Sequence, residues 1–422
     1  MGEAGVRFRY QLGTACGLAL DTVRSYKLRS FLTLLGIVIG VASVVIVGAA
    51  IEGLGAYAEQ SVAKAFGTDS FMVAQFAMSG DMSRRAFMEK KKRNKPIRAA
   101  DARFVETVAG RRVEYSPSIQ HGGAVVKYRD LTLEDTTISG VGAAMQEIRD
   151  VGVASGRFFT EQEERAATHA AVIGEDVKST LFPAGGSPLG AVVRIDGAEF
   201  TVVGVLDKLG SAFGRSQDNA AYIPVTVFSR MYGTSGGLQL HGRANPASGL
   251  SLEQALDETR VALRTRFHTR LGQPDNFDSQ TPDAMRGFID NILGIIAVAV
   301  VPLTCISLVV GGVVIMNMML VSVTQRTREI GTRKALGARH SDIMLQVLIE
   351  AVALSAAGGV AGLLLGAAVT TTVSRALDVP LVITPVYVVL AVGVSSAVGI
   401  VSGWYPASRA ARLDPVTALR AE

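Results

Sequence analysis

The chain has 422 residues, of which 49% are hydrophobic and 19% charged, and its mean hydropathy is +0.32. It is more apolar and less charged than an ordinary soluble domain, which argues against a wholly soluble protein. The net charge of +5 is concentrated beside apolar stretches, so it gives no support for nucleic-acid binding.

Four stretches of the chain contain no charged residue: 30–51, 291–325, 351–374 and 381–408. Each exceeds the roughly 20 residues that a helix needs to cross the hydrocarbon core, so we expect four transmembrane helices. The first apolar run is longer than the core of a signal peptide and thirty residues precede it, which favours an uncleaved membrane anchor. The long segment between the first two stretches has an ordinary soluble composition. It predicts one large water-exposed domain.

The predicted fold class is a membrane protein with four transmembrane α-helices and a large α+β extracytoplasmic domain inserted between helices 1 and 2. The expected chain order is an N-terminal cytoplasmic or interfacial segment (1–29), transmembrane helix 1 (30–51), the extracytoplasmic domain with stalk helices at its ends (52–290), transmembrane helix 2 (291–325), a cytoplasmic coupling segment (326–342), transmembrane helix 3 (343–373), a short outer turn (374–380), transmembrane helix 4 (381–407) and a cytoplasmic C-terminal tail (408–422).

The distribution of charge predicts the orientation. The segments before helix 1, between helices 2 and 3, and after helix 4 together hold thirteen basic and six acidic residues, whereas the large domain holds 28 basic and 29 acidic ones. By the positive-inside rule, these three segments lie in the cytoplasm together with both termini. The expected location is therefore the cytoplasmic membrane. Residues 1–29 suit either a helix along the inner membrane face or a plain cytosolic tail.

The large domain combines strand and helix patterns. Strands are predicted at 71–76, 170–174, 191–195, 199–206 and 220–225, and helices at 99–110 and 251–267. Helical spacing at 52–66 and 282–294 predicts that transmembrane helices 1 and 2 continue outward as a stalk. The run EKKKRNKPIR at 89–98 holds six basic residues. It suits an anionic lipid surface or an acidic partner, but a solvated mobile loop is the preferred interpretation, and Pro96 argues against a helix through it.

Motifs of known chemistry are missing from the sequence. The segment 174–180 lacks the second glycine of a phosphate-binding loop, and no G-x-S-x-G motif occurs. The five histidines are isolated, and Cys16 and Cys305 both lie outside the large domain, so no disulfide is expected there. We expect no catalytic, cofactor-binding or metal site on this chain. Glu350 is the one acidic residue within the helices, near the expected cytoplasmic end of helix 3, and a structural role is favoured. Close packing is expected of the glycines in helix 3, which are Gly358, Gly359, Gly362 and Gly366.

The segment QRTREIGTRKALGARHSD at 325–342 carries five basic residues between two apolar helices. We expect helix 2 to continue into it, with Glu329 and Arg333 forming an i, i+4 ion pair. Gly331 and Gly337 are candidates to bend or stop the helix, and Ser341 to cap the next one. A simple cytoplasmic turn would need the positive charge but would not require this residue order.

That order resembles a known family. IMNMMLVSVTQRTREIGTRKALGAR resembles the motif after the second span of the MacB/FtsX/LolC family of ABC-transporter permeases, and WYPASRAARLDPVTALRAE resembles the C-terminal end of the family. SYKLRSFLTLLGIVIGVASVV resembles its entry into span 1. In the large domain, ASGRFFTEQE and AAVIGEDVKSTLFPAGGSPLGAVVRIDGAEFTVVGVL resemble the MacB-type extracytoplasmic domain. The resemblance covers nearly the whole chain.

The resemblance implies a permease half-unit that dimerises with a copy of itself or a related permease and docks ABC ATPase subunits, which bind ATP and Mg. It implies a coupling interface formed by Arg326, Arg328, Glu329, Ile330, Gly331, Arg333, Lys334, Gly337 and Arg339. It implies a neighbouring C-terminal cytoplasmic motif formed by Pro406, Arg409, Arg412, Pro415 and Leu419. ATP-driven movement at these segments would pass through the stalk to the outer domain. An adaptor, an outer-membrane channel and membrane lipid are further partners left open.

The sequence departs from MacB in carrying no ATPase domain, so the ATPase is expected on another polypeptide. The favoured function is a permease subunit that drives export or extraction of a substrate from the outer side of the cytoplasmic membrane. Two alternatives stay open: an FtsX-like regulator of an extracytoplasmic partner and an ATP-independent membrane receptor. A membrane-bound hydrolase is least favoured, because no acid/base or nucleophile pattern occurs.

Overall fold

The computed structural model describes residues 27–67, 69–77, 84–183, 185–212, 215–377 and 381–420. The chain divides into two compact units, which we call the membrane unit (up to Tyr57 and from Ile292 onward) and the outer domain (Ala58–Asn291). Almost all of the predicted interfacial segment 1–29, and the end of the predicted turn 374–380, lie outside the described residues.

The helices and strands have the following bounds. The helices are α1 Lys27–Phe66, α2 Arg84–Arg93, α3 Ala99–Ala109, α4 Met145–Arg149, α5 Glu161–Arg165, α6 Glu175–Leu181, α7 Val225–Tyr232, α8 Leu252–Arg266, α9 Pro282–Gln325, α10 Thr327–Ala335, α11 His340–Leu377, α12 Pro385–Ala411 and α13 Pro415–Arg420. The strands are β1 Ser70–Ala74, β2 Val113–Tyr128, β3 Leu131–Val141, β4 Val153–Gly156, β5 Ala170–Ile173, β6 Val192–Ile195, β7 Ala198–Leu206, β8 Ser211–Ala212, β9 Arg215–Ser216, β10 Ala220–Pro224, β11 Gln239–Ala244 and β12 Asp278–Gln280.

Four of the described helices, α1, α9, α11 and α12, are long and apolar enough to cross a membrane. Both α1 and α9 extend well past their charge-free stretches, α1 to Phe66 and α9 back to Pro282. The predicted helical continuations at 52–66 and 282–294 are therefore confirmed, since each belongs to one unbroken helix. Each of these two helices contributes residues to both units.

Small residues bring the helices of the membrane unit into close contact. A Cβ atom added to Gly358 would lie 3.1 Å from the side chain of Ile37, and one added to Gly362 would lie 2.8 Å from the carbonyl oxygen of Val38. Gly359 and Gly366 are similarly close to neighbouring helices. The packing role predicted for the glycines of helix 3 is confirmed, and α11 lies against α1 where a larger residue would push the two apart.

The outer domain is built on one mixed sheet with strand order β12-β1-β11-β2-β3-β10-β5-β7-β4, and β6 pairs with both β2 and β7. Strand β10 runs parallel to β3, and β5 runs parallel to β7, whereas the other pairs of this sheet are antiparallel. One hydrophobic core, which includes Phe71, Leu240 and Leu263, lies under β1, β2 and β11 with α3 and α8. Another, which includes Ile173 and Phe200, lies among β5, β6, β7 and β10 with α6 and α7.

The five predicted strands and both predicted helices of this domain are confirmed to within a few residues by β1, β5, β6, β7, β10, α3 and α8. The two longest strands, β2 and β3, were missed. Their sequences VEYSPSIQHGGAVVKY and LTLEDTTISGV contain many polar residues, and the stretches 120–123 of β2 and 131–135 of β3 are largely exposed. Strand pairing across the sheet therefore overrides their weak hydrophobic pattern.

The prediction of a loop at 89–98 is wrong for the first half of this segment. Helix α2 continues to Arg93 and ends three residues before Pro96, as the proline requires. The physical reason is tertiary: Lys90 Nζ lies 3.0 Å from the buried carboxylate of Asp278, and Asn94 Nδ2 donates to the carbonyl oxygen of Gln75 at 2.7 Å. These contacts hold in place a segment whose charge alone favours disorder.

Candidate functional site

The segment between α9 and α11 forms the short helix α10, with a break at Arg326. We predicted that helix 2 continues unbroken into this segment. This prediction is wrong at Arg326, where the backbone leaves the helical conformation with φ −102° and ψ 18°. Arg326 is hydrogen-bonded to both helices: its N–H donates to Ser322 O at 3.1 Å, and its carbonyl oxygen accepts the N–H of Ile330 at 3.0 Å. Helix α10 is thus joined tightly to the end of α9.

Of the two glycines expected to bend or stop this helix, Gly337 does so and Gly331 does not. Gly337 has φ +93°, a left-handed conformation that favours glycine, and follows the helix end at Leu336. Gly331 lies inside α10, and a Cβ atom added to it would lie 2.7 Å from the Cβ of Ala418 in α13. Its role is close contact between two helices.

Ser341 does not cap the next helix, because α11 already begins at His340. The carboxylate of Asp342 instead accepts the backbone N–H of Arg339 at 3.2 Å. Asp342, in the first turn of α11, thus accepts the N–H of the residue before the helix, which is a different donor from those that Ser341 would have served as an N-cap.

Lys334 fastens α10 to the C-terminal part of the chain. Its Nζ donates to the carbonyl oxygens of Ala411 and Leu413, each at 2.7 Å. Ala411 is the last residue of α12, where carbonyl groups lack partners within the helix and the helix dipole favours a positive charge. One ammonium group therefore holds together α10, the end of α12 and the turn that leads into α13.

An apolar contact supports the same junction. Ile330 is buried in a cluster with Ala407, Ala410 and Ala411 of α12 and with Ile343 of α11. Apolar burial and the two hydrogen bonds of Lys334 therefore act on neighbouring positions of α10.

Two arginines join α10 and its N-terminal break to α11. Arg326 Nη1 lies 3.3 Å from Glu350 Oε1, whose side chain is buried, and Arg333 Nη1 donates to Gln346 Oε1 at 2.9 Å. Arg333 also pairs with Glu329, which confirms the predicted i, i+4 ion pair. These side chains line a small cavity of about 30 Å³. The burial of Glu350 and its pairing with Arg326 agree with the structural role predicted for it.

Other side chains of the segment face solvent. Arg328, Leu336 and Arg339 are exposed, and Leu336 at the tip of the turn is 89% exposed. The turn is fixed by the contacts that Lys334 and Arg333 make with α12 and α11. An exposed leucine on such a turn, among basic residues, is suited to contact a partner protein. Sequence reasoning missed Leu336, although its place between a lysine and a helix-ending glycine is a usable signal.

The C-terminal motif lies partly beside this segment. Pro406 is buried within α12, and Pro415 begins α13, where Asp414 accepts the backbone N–H of Thr417 at 3.1 Å. Arg409 and Arg412 are exposed, and none of the contacts just described involves their side chains. Leu419 belongs to α13, but its side chain lies outside the described part of the structure.

The outer domain contains a cleft of about 640 Å³ that sequence reasoning also missed. Glu106 of α3 and Glu164 of α5 both line it. Burial, followed by the charge of Glu164, raises the pKa of Glu106. Burial also raises the pKa of Glu164, although the Ala143 N–H donates to its carboxylate at 2.7 Å. The two residues are 58 positions apart, so no local motif could have paired them. Among the described residues, no three His, Cys, Asp or Glu side chains are grouped to hold a metal ion.

Comparison with known proteins gives matches over nearly the whole chain. The model of the MacB-like periplasmic core domain matches residues 30–261, and that of the FtsX-like permease C-terminal domain matches residues 302–415. Relatives named macrolide export ATP-binding/permease protein MacB are 34% identical in Bdellovibrio bacteriovorus and 33% identical in Rhodospirillum rubrum. The alignments cover 95% and 100% of this chain, but 61% and 62% of the relatives, so the chain spans about three fifths of their length. The crystal structure of the periplasmic region of MacB from Actinobacillus actinomycetemcomitans is 17% identical, with a TM-score of 0.42, over 54% of this chain and 96% of that one.

Proposed function

The chain belongs to the family of MacB-like ABC-transporter permeases, with an FtsX-like permease domain, and we propose that it relays ATP-driven motion to its outer domain. It is a membrane protein with an extracytoplasmic domain. In the proposal, a separate ABC ATPase subunit docks on α10 and carries the ATP and Mg, and this chain binds no cofactor of its own. The relayed motion drives export or extraction of a substrate from the outer side of the cytoplasmic membrane.

The observation that carries this proposal is that α10 contacts three neighbouring helices. Lys334 holds the end of α12, Arg326 and Arg333 hold α11, and Gly331 lies against α13. A short helix with contacts on so many sides cannot move alone, so a displacement by a docked ATPase would move the ends of the transmembrane helices as well. Leu336 and the exposed basic residues offer the ATPase its contact surface.

The helix α9 supports the next step. It continues for 44 residues from the break at Arg326 back to Pro282, about 66 Å at the usual rise of an α-helix. Within the outer domain, Arg286 near its start lies 3.7 Å from Glu59 of α1, and Met285 and Val62 share an apolar cluster. In the proposal, these two helix ends move together as the stalk.

The end of α1 is in turn held by the outer domain. Lys64 Nζ donates to Leu209 O at 2.8 Å, and Arg149 Nη2 donates to Lys64 O at 3.1 Å. Both bonds involve residues far away in sequence, so a movement of the last turns of α1 would be transmitted to the strands that follow. These contacts support a relay from α10 to the outer domain and need no polar pathway through the membrane.

The proposed orientation places both termini in the cytoplasm and the domain between helices 1 and 2 outside. Trp404 and Tyr405 are exposed near the end of α12, just before Arg409 and Arg412. Aromatic residues next to basic ones are typical of a membrane interface, and the basic residues mark the cytoplasmic side.

Further partners belong to the same proposal. The permease half-unit pairs with a second copy or with a related permease, and an adaptor and an outer-membrane channel complete an export route. The names of the relatives make a macrolide the first substrate to test.

The test is purification of the full tagged chain from its native membranes, together with the variant Glu329→Lys/Arg333→Glu. A matched control is Glu161→Lys/Arg165→Glu, which reverses another i, i+4 ion pair in the outer domain. We expect an ABC ATPase to copurify with the natural chain and the control, and to be lost from the folded variant. If no ATPase copurifies and the preparation has no ATP turnover, the permease function falls and a membrane receptor takes its place.

Transport and regulation are separated by a second assay. A permease engaged in export should lower macrolide accumulation in cells that express the full system, and the Glu329→Lys/Arg333→Glu variant should not. An ATPase that copurifies without any substrate movement, but with activation of an extracytoplasmic partner, would favour the FtsX-like alternative.

A further inference from the structure

The outer domain has a strongly basic face formed by helix α2 and by the loop 267–277. The two are neighbours, because the Lys95 N–H donates to Asn276 O at 2.7 Å and Lys95 Nζ lies 5.8 Å from the ring centre of Phe267. We call the exposed side of α2, Lys95 and this loop together the basic face.

One side of α2 is fixed to the domain. Phe87 contacts Phe76 with ring centres 5.7 Å apart, Lys90 pairs with Asp278, and Asn94 donates to Gln75 O and to Asp278. Phe87, Lys90 and Asn94 follow one another at helical spacing, so they share a single side. The orientation of the helix is therefore set by three contacts.

A second side of α2 carries Met88, Lys91 and Lys92, which stand at positions i, i+3 and i+4. Met88 is 49% exposed, and both lysines are exposed. An apolar side chain is thus displayed between two cationic ones.

The loop 267–277 displays another apolar side chain from a rigid support. Arg264 pairs with Asp275 and also donates to the carbonyl oxygens of Arg270 at 3.0 Å and Gln273 at 3.1 Å. Leu271 lies between these two acceptors and is 99% exposed. The backbone on either side is fixed while the leucine is held out in solvent.

The acidic residues around this face are already paired. Glu89 pairs with Arg85, Asp278 with Lys90, Asp275 with Arg264, and Asp101 with Arg266. Within the part of the chain that the structure describes, no ion pair includes Lys91, Lys92, Lys95 or Arg270. Among the described residues, these four cations therefore have no acidic partner.

We propose that the basic face binds the anionic headgroups of a phospholipid bilayer, with Met88 and Leu271 entering the headgroup layer. Apolar side chains displayed among basic residues are typical of surfaces that lie on membranes. Each lysine gains from the negative surface potential of anionic lipids, and flexible lysines suit a fluid array of phosphates. An acidic protein would instead favour planar arginine pairs and a shaped apolar contact.

The experiment uses the full chain in nanodiscs of phosphatidylcholine alone or mixed equally with phosphatidylglycerol. In a background with Cys16 and Cys305 changed to serine, an environment-sensitive fluorophore is attached at Leu271→Cys. A second chain carries the label at Val192→Cys, which is exposed on β6 in the same domain. We expect a blue shift and stronger emission at position 271 in the anionic discs and no change at position 192.

The charge is tested with Lys91→Gln/Lys92→Gln, which should weaken docking about 30-fold and remove the shift at position 271. Arg111→Gln/Lys127→Gln removes the same charge from exposed positions elsewhere in the domain and should leave the shift intact. High salt should abolish the shift as well, because the attraction is screened.

An unchanged emission at position 271 in anionic discs would overturn the proposal. So would a shift of equal size in phosphatidylcholine alone, since the binding would then not depend on anionic lipid. A shift that arises only when an acidic protein is added would assign the face to a protein partner and would also overturn it.

Discussion

Two basic segments of this chain, 325–342 and 89–98, hold five and six basic residues, but these residues make different contacts. In the first, Arg326, Arg333 and Lys334 point back into the protein and bind a buried glutamate, an amide and two carbonyl oxygens. In the second, Lys90 is the one lysine that forms an ion pair, within the described residues. In the sequence the two segments look alike because both are rich in basic residues. In the structure they differ in whether those residues have partners within the protein.

The difference indicates two roles for positive charge. Cations that bind groups within the protein hold neighbouring helices together. A coupling segment requires this, because the helices must move together. Cations without an acidic partner in the protein remain able to bind an anionic group outside the chain. Substitutions in the first segment should therefore disturb motion and ATPase coupling, and substitutions in the second should disturb surface binding.

The largest effect is expected from Lys334→Met. It leaves two carbonyl oxygens without their donor, and charge-assisted hydrogen bonds contribute about 1.5–3 kcal/mol each, so the docking of α10 should weaken by about 3 kcal/mol. Hydrogen exchange of the α10 amides should become more than ~100-fold faster, and ATPase stimulation by the permease should fall at least tenfold. Lys91→Met, which removes the same group from an exposed site, should change neither.

Equal effects of Lys334→Met and Lys91→Met would show that total charge, and not its internal partners, is what the coupling segment requires.

The next effect concerns the contact of α10 with α13. Gly331→Ala brings a Cβ atom to 2.7 Å from the Cβ of Ala418 and should weaken the contact by about 1–3 kcal/mol through overpacking. The second change Ala418→Gly removes the opposing atom, so the double variant Gly331→Ala/Ala418→Gly should recover ATPase stimulation. A double variant as impaired as Gly331→Ala alone would speak against helix contact as the role of Gly331.

A smaller effect is expected at the pair Arg326 and Glu350. Glu350→Gln removes the carboxylate that faces the partly buried Arg326, and Arg326→Gln removes the cation that faces the buried carboxylate of Glu350, so each should lower thermal stability. The double variant should lose less than the sum of the two, with a coupling energy of about 1 kcal/mol. Strictly additive losses in a double-mutant cycle would indicate that the pair does not hold α10 to α11.

The smallest effect completes the comparison. Lys91→Gln/Lys92→Gln removes two exposed charges from α2 and should change thermal stability by less than about 0.5 kcal/mol and leave ATPase stimulation unaltered. A marked loss of ATPase stimulation in this variant would mean that the basic face also takes part in coupling.

Local features of the coupling segment could be predicted from the sequence. The apolar stretches, the Glu329–Arg333 pair and the stop at Gly337 depend on neighbours within a few residues. The contacts that fasten the segment could not, because Lys334 binds carbonyls 77 and 79 residues away and Arg326 binds a residue 24 positions away. Such partners depend on how the helices pack. Ser341 is not the cap because the helix already begins at His340, and Asp342 in its first turn accepts the N–H of Arg339.

The same limit applies to the outer domain. Strands with β-branched runs, such as 199–206, were predictable, whereas β2 and β3 owe their extended form to pairing with each other and with β10 and β11. Helix α2 was mistaken for a loop because its sequence shows charge, and the contact that orders it, Lys90 with Asp278, spans 188 residues.

The most direct test of the coupling account is a distance measurement during ATP turnover. Spin labels at Val192→Cys in the outer domain and Val389→Cys in α12, in the cysteine-free full chain bound to its ATPase, would report relative movement of the two units. We expect the distance distribution to change on ATP addition in the natural chain. In a Lys334→Met variant that still binds the ATPase, we expect it to stay the same. An ATP-dependent change of the same size in Lys334→Met would contradict it.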